Sequence, residues 1–283
     1  MATDRSLKAK ARQDEAKETV MLAHSFSSKK HVFHTPQSKR QVDVSNWLVY
    51  QKLDGVRAIF DGITLRSRTN RPFSAPREFI ERVKQFLPGR TLDGELTHPR
   101  GFQDAVSIIR DQSEKATIEY WDQISYTVYD IIDPNVSFFN REMEITVGCQ
   151  KENPSVSYLY RQKSYKAGLA NMRKNSWEGL MLRNPAAFYE FGRSHNLLKY
   201  KEFITIEAKV TGYYPGEGKH EGRIGGVWCL LDGNRVFKCG AGFTDEEREA
   251  PPAIGSMITI KFVDYTNDKI PKSPVYLEVR NYE

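Results

Sequence analysis

The hexapeptide Lys52-Leu53-Asp54-Gly55-Val56-Arg57 sets a primary amine, a carboxylate, a turn glycine and a fixed cation close together. A lysine becomes a nucleophile only when its ammonium loses a proton near neutral pH, and nearby cations or a bound metal favour that loss by penalising the charged form. Arg57 supplies one such cation. Taken alone, Lys-x-Asp-Gly is an ordinary hairpin turn carrying an exposed lysine. Three other segments change that reading. Leu92-Asp93-Gly94-Glu95-Leu96 places a carboxylate after a strand turn, Trp177-Glu178-Gly179-Leu180-Met181-Leu182-Arg183 places another at the start of an apolar strand, and Leu198-Lys199-Tyr200-Lys201 carries two lysines. Residues i and i+2 of a strand share a side, so Lys199 and Lys201 are expected to point together, which is costly unless an anion sits there. The chemistry on offer is nucleophilic attack by an amine in a site built for an anion.

Other chemistries find no support. His24, His31, His34, His98, His195 and His220 show no metal-ligand spacing, and Cys149, Cys229 and Cys239 fit neither a disulfide framework nor a paired zinc site. Gly216, Gly218, Gly222, Gly225 and Gly226 form no phosphate-binding fingerprint because no strand-loop-helix pattern surrounds them. They read as a flexible hairpin tip, with Lys219 and Arg223 available for backbone phosphates.

The elements that position these residues follow from periodicity. Residues 47–53, 56–60 and 63–67 are short β-prone runs separated by the turn signals Asp54-Gly55 and Asp61-Gly62, which predicts an antiparallel meander. Phe79, Ile80, Val83, Phe86 and Leu87 recur at helical spacing, and Pro88-Gly89 stops that helix. Strands are expected again at 91–97 and 124–132 with a helix around 102–110, and a further helix at 165–174 leads into the apolar run 179–182. From residue 204 the pattern changes to strands alone, at 204–214, 227–231, 235–239, 257–265 and 275–280, which suits a small Greek-key barrel. The stretch 21–41 reads as loop-like. The predicted organisation is therefore a basic flexible arm at 1–20, a catalytic domain at 21–202 and a barrel domain at 203–283, with a hinge near 201–203.

Net charge is +6, but residues 1–40 carry nine Lys or Arg against four Asp or Glu, and residues 203–283 carry 10 against 12. The basic excess is largely an N-terminal feature, and such an arm suits a polyanionic partner such as DNA. No apolar run reaches bilayer length and the first residues lack the apolar stretch of a secretory signal. No membrane partner and an intracellular, cytoplasmic location are expected.

Taken in order, these motifs resemble the covalent nucleotidyltransferases: ATP-dependent DNA ligases, RNA ligases and mRNA capping enzymes. The resemblance runs from about residue 21 to nearly the end of the chain. It implies an α+β protein, a nucleotidyltransferase domain of antiparallel sheets with flanking helices followed by a C-terminal OB-fold β-barrel. It also implies roles. Lys52 matches the lysine that attacks the α-phosphate of ATP to form lysyl-AMP, and Arg57 the arginine near the ribose and the nick. Arg68, in Ser67-Arg68-Thr69, matches an arginine on the nick phosphate, and Glu95 the carboxylate on the ribose hydroxyl. Tyr129 sits where the family stacks an aromatic ring on adenine, Glu178 matches the metal-site carboxylate, and Lys199 and Lys201 match the lysines on the α-phosphate. Tyr50 and Gln51 join the nucleotide-binding residues, and Asp54 and Glu95 join Glu178 as metal candidates. Arg193 resembles an arginine near the adenylate and the nick, and Lys269 and Lys272 stand where the family orients pyrophosphate. Displacing pyrophosphate builds negative charge, so ATP is expected with Mg²⁺, or Mn²⁺ in its place.

Within the superfamily, NAD-dependent ligases carry a four-cysteine zinc module that three cysteines cannot make. Capping guanylyltransferases share Lys-x-Asp-Gly-x-Arg and are the nearest alternative; many RNA ligases lack an arginine at the position of Arg57. The length matches small viral and bacterial DNA ligases, which implies a monomer acting on nicked duplex DNA. Residues 215–226 are too few for the long clamping hairpin of some viral relatives, so the basic arm is expected to compensate by touching phosphates. Deleting residues 2–20 should weaken nicked-DNA binding and flatten its salt dependence, and an unchanged slope of log affinity against log salt would reject that role.

Overall fold

The computed structural model describes residues 20–27, 32–34, 39–111, 118–148, 153, 155–232, 234–266 and 268–280. The basic arm and Cys149 lie outside them. The chain divides into two units, with the division between Tyr200 and Lys201.

In the first unit the strands β1 (Met21–Ser27), β2 (Val32–His34), β3 (Lys39–Gln41), β4 (Leu48–Lys52), β5 (Val56–Phe60) and β6 (Leu65–Ser67) precede helix α1 (Arg77–Phe86). Next come β7 (Leu92–Thr97), helices α2 (Phe102–Arg110) and α3 (Ile118–Trp121), β8 (Ser125–Ile131) and helix α4 (Phe138–Gly148). The unit ends with β9 (Val156–Tyr158), β10 (Arg161–Gln162), helix α5 (Tyr165–Lys174), β11 (Gly179–Arg183) and β12 (Gly192–Tyr200). They form a seven-stranded sheet in the order β10-β4-β11-β12-β1-β2-β3 and a five-stranded sheet in the order β6-β5-β7-β8-β9.

Each sheet is backed by helices on one face. Val49, Leu180, Leu182 and Leu198 of the larger sheet are buried with Met172 of α5. That helix comes so close that a Cβ on Gly168 would stand 3.0 Å from Val49 and 3.2 Å from Leu180. The smaller sheet turns Ala58, Phe60, Leu92 and Leu96 onto Phe79, Val83 and Phe86 of α1, the predicted helical stripe, with Trp121 and Ile109 completing the core. With these faces fixed by burial, alternation aims the other faces of β4, β11, β5 and β7 away from the two cores.

The second unit contains β13 (Ile204–Pro215), β14 (Ile224–Leu231), β15 (Arg235–Cys239), helix α6 (Asp245–Glu249), β16 (Met257–Phe262) and β17 (Val275–Val279). Its antiparallel order is β15-β14-β13-β16-β17, and a bridge between Ala241 and Val275 brings the chain after β15 back onto β17, as a barrel requires. Val210, Val227, Phe237, Ile258 and Ile260 fill the interior with the buried free thiols of Cys229 and Cys239. Among the described residues no helix is long and apolar enough to cross a membrane.

Three expectations are corrected. The segment after residue 20 is no loop: β1 runs parallel to β12 inside the larger sheet and continues antiparallel into β2 and β3. The sheets are mixed, with β8 and β9 a second parallel pair. The glycine-rich hairpin tip is shorter than expected: Gly225 and Gly226 belong to β14, and Gly216 N–H donates to Arg223 O at 2.9 Å around a 3₁₀ turn at Gly218–His220.

A buried ionic cluster ties the two sheets of the first unit together. Asp93 on β7 and Asp130 on β8 are cross-strand partners and both are fully buried. Arg57 reaches Asp93 with Nε at 2.8 Å and with Nη2. Arg141 of α4 and Arg183 of β11 both reach Asp130, at 2.7 and 2.8 Å. Removing Asp130 strands two buried guanidinium groups, so Asp130→Ala should cost about 3–5 kcal/mol. The urea midpoint of the first unit, read from Trp121 fluorescence, measures this; a loss under about 1 kcal/mol would mean the cluster is dispensable.

Candidate active site

A cleft of about 260 Å³ in the first unit is lined from both sheets. From the larger sheet, Tyr50 and Lys52 of β4, Met181 and Arg183 of β11 and Leu197 and Lys199 of β12 border it. Each pair is spaced by two, which is the alternation of a strand. Register places Tyr50 beside Met181 and Met181 beside Lys199, so three strands present one continuous row. From the smaller sheet come Arg57 of β5, Glu95 of β7 and Tyr129 of β8, with Arg57 and Glu95 directly opposite each other.

Local irregularities aim two of these groups. The pairing of β7 with β8 shifts between Asp93 and Gly94, leaving Tyr129 as the extra residue of a bulge, a device that re-aims side chains. Gly94 cannot carry a side chain there, since a Cβ would lie 2.6 Å from Thr127 O and from the Tyr126 ring. Between β1 and β12 the register jumps from Ala23–Ser194 to His24–Leu198, and Leu197 in the resulting bulge joins the cleft wall.

Electrostatically the cleft is a concentrated cation site with two carboxyls. The Lys52 ammonium donates to Glu178 Oε2 and, at 3.3 Å, to Leu53 O. Burial pushes the Glu95 carboxyl up to about 7, against the opposing pull of the Lys52 and Arg57 charges. Burial also works against the Arg57 charge, but Asp93 outweighs it and holds the guanidinium firmly protonated. Arg57 and Arg183 each lie 5.8 Å from the centroid of the Tyr129 ring. Arg193 and Arg68 are exposed at the cleft border, Arg193 donating to Ala23 O at 2.6 Å.

Residues 20–201 match the family described as "ATP dependent DNA ligase domain", and residues 215–280 match "DNA ligase OB-like domain". The chain belongs to the ATP-dependent DNA ligases. It is 29% identical to a DNA ligase of Haemophilus influenzae over 267 residues, 92% of each chain. A solved Lig E DNA ligase is 31% identical, with a TM-score of 0.77 over 92% of this chain and 98% of that one. The bacteriophage T7 ATP-dependent DNA ligase shares the fold at 17% identity and a TM-score of 0.50, over 94% of this chain and 100% of that one. Both units are covered, the second as an OB-fold barrel. ATP-driven nick sealing is this family's reaction, so the capping and RNA-ligase alternatives give way.

Within the ligase fold, most predicted site residues converge: Tyr50, Gln51, Lys52, Arg57, Arg68, Glu95, Tyr129, Arg193 and Lys199 all border the cleft, and Glu178 touches Lys52. Three do not behave as expected. The strand ends at Tyr200, so Lys201 lies past it in the second unit and does not share a strand face with Lys199. Asp54 is exposed in the turn after β4 and is not part of the cleft wall. Arg223 is engaged with Asp245 at 3.3 Å and Glu249 at 3.5 Å on α6, while Lys219 is exposed on the 3₁₀ turn. Arg183 was missed, because a charge at the end of an apolar strand gives no local sign of the buried carboxylate that holds it. Leu22 and Ala23 were missed because β1 itself was.

The Glu95 carboxyl gives a signed test. Its pKa is raised from 4.5 to about 7, so the folded chain keeps a proton that the unfolded chain releases between those values. Stability from that proton is present below 4.5 and is lost as pH rises through about 7. Glutamine does not titrate, so the melting temperature of Glu95→Gln minus that of the parent should rise across about pH 5 to about pH 8 without nucleotide. A flat difference would assign the ionisation to another group.

Proposed function

We propose that this ligase seals 5′-phosphate/3′-hydroxyl nicks in duplex DNA with Lys52 as the AMP carrier. The observation that carries the reading is the placement of Lys52, paired with Glu178, in a cleft that also holds Glu95, Lys199 and Arg57, drawn together from four further segments of the chain. In the first step the Lys52 amine, freed of its proton, attacks the α-phosphorus of ATP. The new N–P bond replaces the bond to the β-phosphate oxygen, and pyrophosphate leaves. A DNA 5′-phosphate oxygen then attacks the same phosphorus and expels the amine. Finally the 3′-hydroxyl attacks the DNA phosphorus and releases AMP.

Lys199 and Arg183 supply fixed positive charge for the α-phosphate, and Tyr129 and Met181 supply surface for the base. Glu95, as a carboxyl near neutrality, takes the ribose hydroxyl, and Tyr50 and Gln51 border the nucleotide. Arg57, immobilised on Asp93, acts as an oriented cation, and Arg68, Arg193 and Lys219 face DNA phosphates.

Among the described residues no group of three or more His, Cys, Asp or Glu is placed to hold a metal alone. That fits Mg²⁺ or Mn²⁺ taking one or two carboxylates, here Glu178 and Glu95, and completing its shell with phosphate oxygens and water. When bound, the ion neutralises charge on the phosphates. A monomer in an intracellular setting accords with the size and charge.

Purified protein incubated with ATP, Mg²⁺ and a singly nicked duplex should give a covalent enzyme–AMP adduct and a sealed strand. Lys52→Ala should abolish the adduct, a loss of at least about 10³-fold, yet retain some sealing of a pre-adenylylated nick. Undiminished adduct in the variant, or an adduct from GTP and none from ATP, would overturn the assignment.

A further inference from the structure

Tyr50 stands two residues before Lys52 on β4, so both side chains leave the strand on one side, with backbones roughly 7 Å apart. Tyr50 borders the cleft yet is only 3% exposed. Its hydroxyl donates at 2.6 Å to Glu142 Oε1 on α4. Arg161, the partner of Tyr50 on β10, stands 3.7 Å from the other oxygen, Oε2, which is buried without a hydrogen bond. Burial first, and then the bond to Glu142, push ionisation of the phenol well above its ordinary value. A phenol has a single proton, and here that proton is committed to Glu142. The oxygen keeps only lone pairs to offer a ligand. Tyr50 is thus an acceptor that cannot donate, and the bond-making steps above have no use for Glu142.

Resting on the nucleotide-binding reading above, we propose that the Tyr50–Glu142 pair selects the base, the phenolic oxygen accepting from the exocyclic amine of adenine. The 6-position of a purine carries an amine in adenine and a carbonyl in guanine and hypoxanthine. A carbonyl set against a phenol that cannot donate leaves two acceptors facing each other, desolvated and unpaired. Met181, which pairs with Tyr50 on β11, gives the cleft apolar surface for the ring face, with Leu159 and Leu197. Glu142 acts through Tyr50 and is a positioning residue: its charge, balanced by Arg161, dictates which way the phenolic proton points.

The test is the rate of covalent adduct formation by the full chain with ATP, purine riboside triphosphate (no 6-substituent) and ITP (a 6-carbonyl). The parent should favour ATP over purine riboside triphosphate by about tenfold or more in kcat/KM, expressed in KM. Tyr50→Phe should bring that ratio to about one. Glu142→Gln, whose amide can donate to the phenol and free its proton to turn, should narrow the ATP-to-ITP ratio by about tenfold. Ratios between nucleotides on one preparation do not depend on the folded fraction, so a poorly folding variant still reports. An unchanged ATP-to-purine ratio in Tyr50→Phe, or an unchanged ATP-to-ITP ratio in Glu142→Gln, overturns the proposal. Equal use of all three nucleotides by the parent overturns base selection alone, whereas no adduct from any of them overturns the nucleotide-binding reading itself.

Discussion

Two carboxylates paired across adjacent strands in a protein interior repel each other by about 3 kcal/mol at a separation near 5 Å and an effective dielectric of about 20. Asp93 and Asp130 are such a pair, and three arginines resolve the conflict. Arg57 comes from β5, Arg141 from α4 and Arg183 from β11 on the other sheet, so the cluster closes only when both sheets and the helix are in place. Tyr189 links the halves: its hydroxyl donates at 2.8 Å to Asp93 and accepts from the Met21 N–H at 3.2 Å, which anchors β1 as well. The cleft stands on this base. Arg57 and Arg183 are at once the neutralising partners of buried carboxylates and part of the cleft wall. Their positions are therefore settled before any nucleotide arrives, the condition under which fixed charges stabilise a transition state without reorganising.

Much of the positioning machinery was legible in the sequence. The strand carrying Lys52, the helix with its Phe79, Val83 and Phe86 stripe, and the all-strand character after residue 204 follow from alternation and helical spacing, because in each case one face is solvated or less buried than the other. Lys52, Glu95 and Glu178 were readable as a group from the order of the motifs that carry them. β1 was not legible. Met21–Ser27 is buried at Met21, His24 and Phe26, which is no clean alternation, and its partner β12 lies some 170 residues away, so no turn announces the pairing.

The remaining misses share a physical cause. Asp93, Asp130, Arg141 and Arg183 are charged residues that composition places at the surface, and only non-local partners make their burial affordable. A local reading has no means of pairing residue 57 with residue 93 or residue 183 with residue 130. The assumption that Lys199 and Lys201 share a face failed for a different reason: alternation holds only while the strand lasts, and β12 ends between them. Arg223 shows the same limit at the surface, because the sequence displays its charge but not the two carboxylates of α6 that already engage it.

The cleft asks opposite things of its ionisable groups, and burial settles which of them yields. Lys52 Nζ donates to the Glu178 carboxylate at the mouth of strand β11. Glu95, on the wall of the same cleft, yields to burial: desolvation outweighs the attraction of Lys52 and Arg57 and lifts its carboxyl to about 7. The two carboxyls therefore divide the work. Glu178 is the ion-pair partner of Lys52, and Glu95 is the carboxyl whose proton burial retains toward neutrality. Lys199, Arg57 and Arg183 line the same cleft as basic groups, an arrangement that suits a polyanion. Two of those cations, Arg57 and Arg183, are anchored on the buried carboxylates of Asp93 and Asp130, so the positive charge of the wall is set by the core and not by whatever enters the cleft.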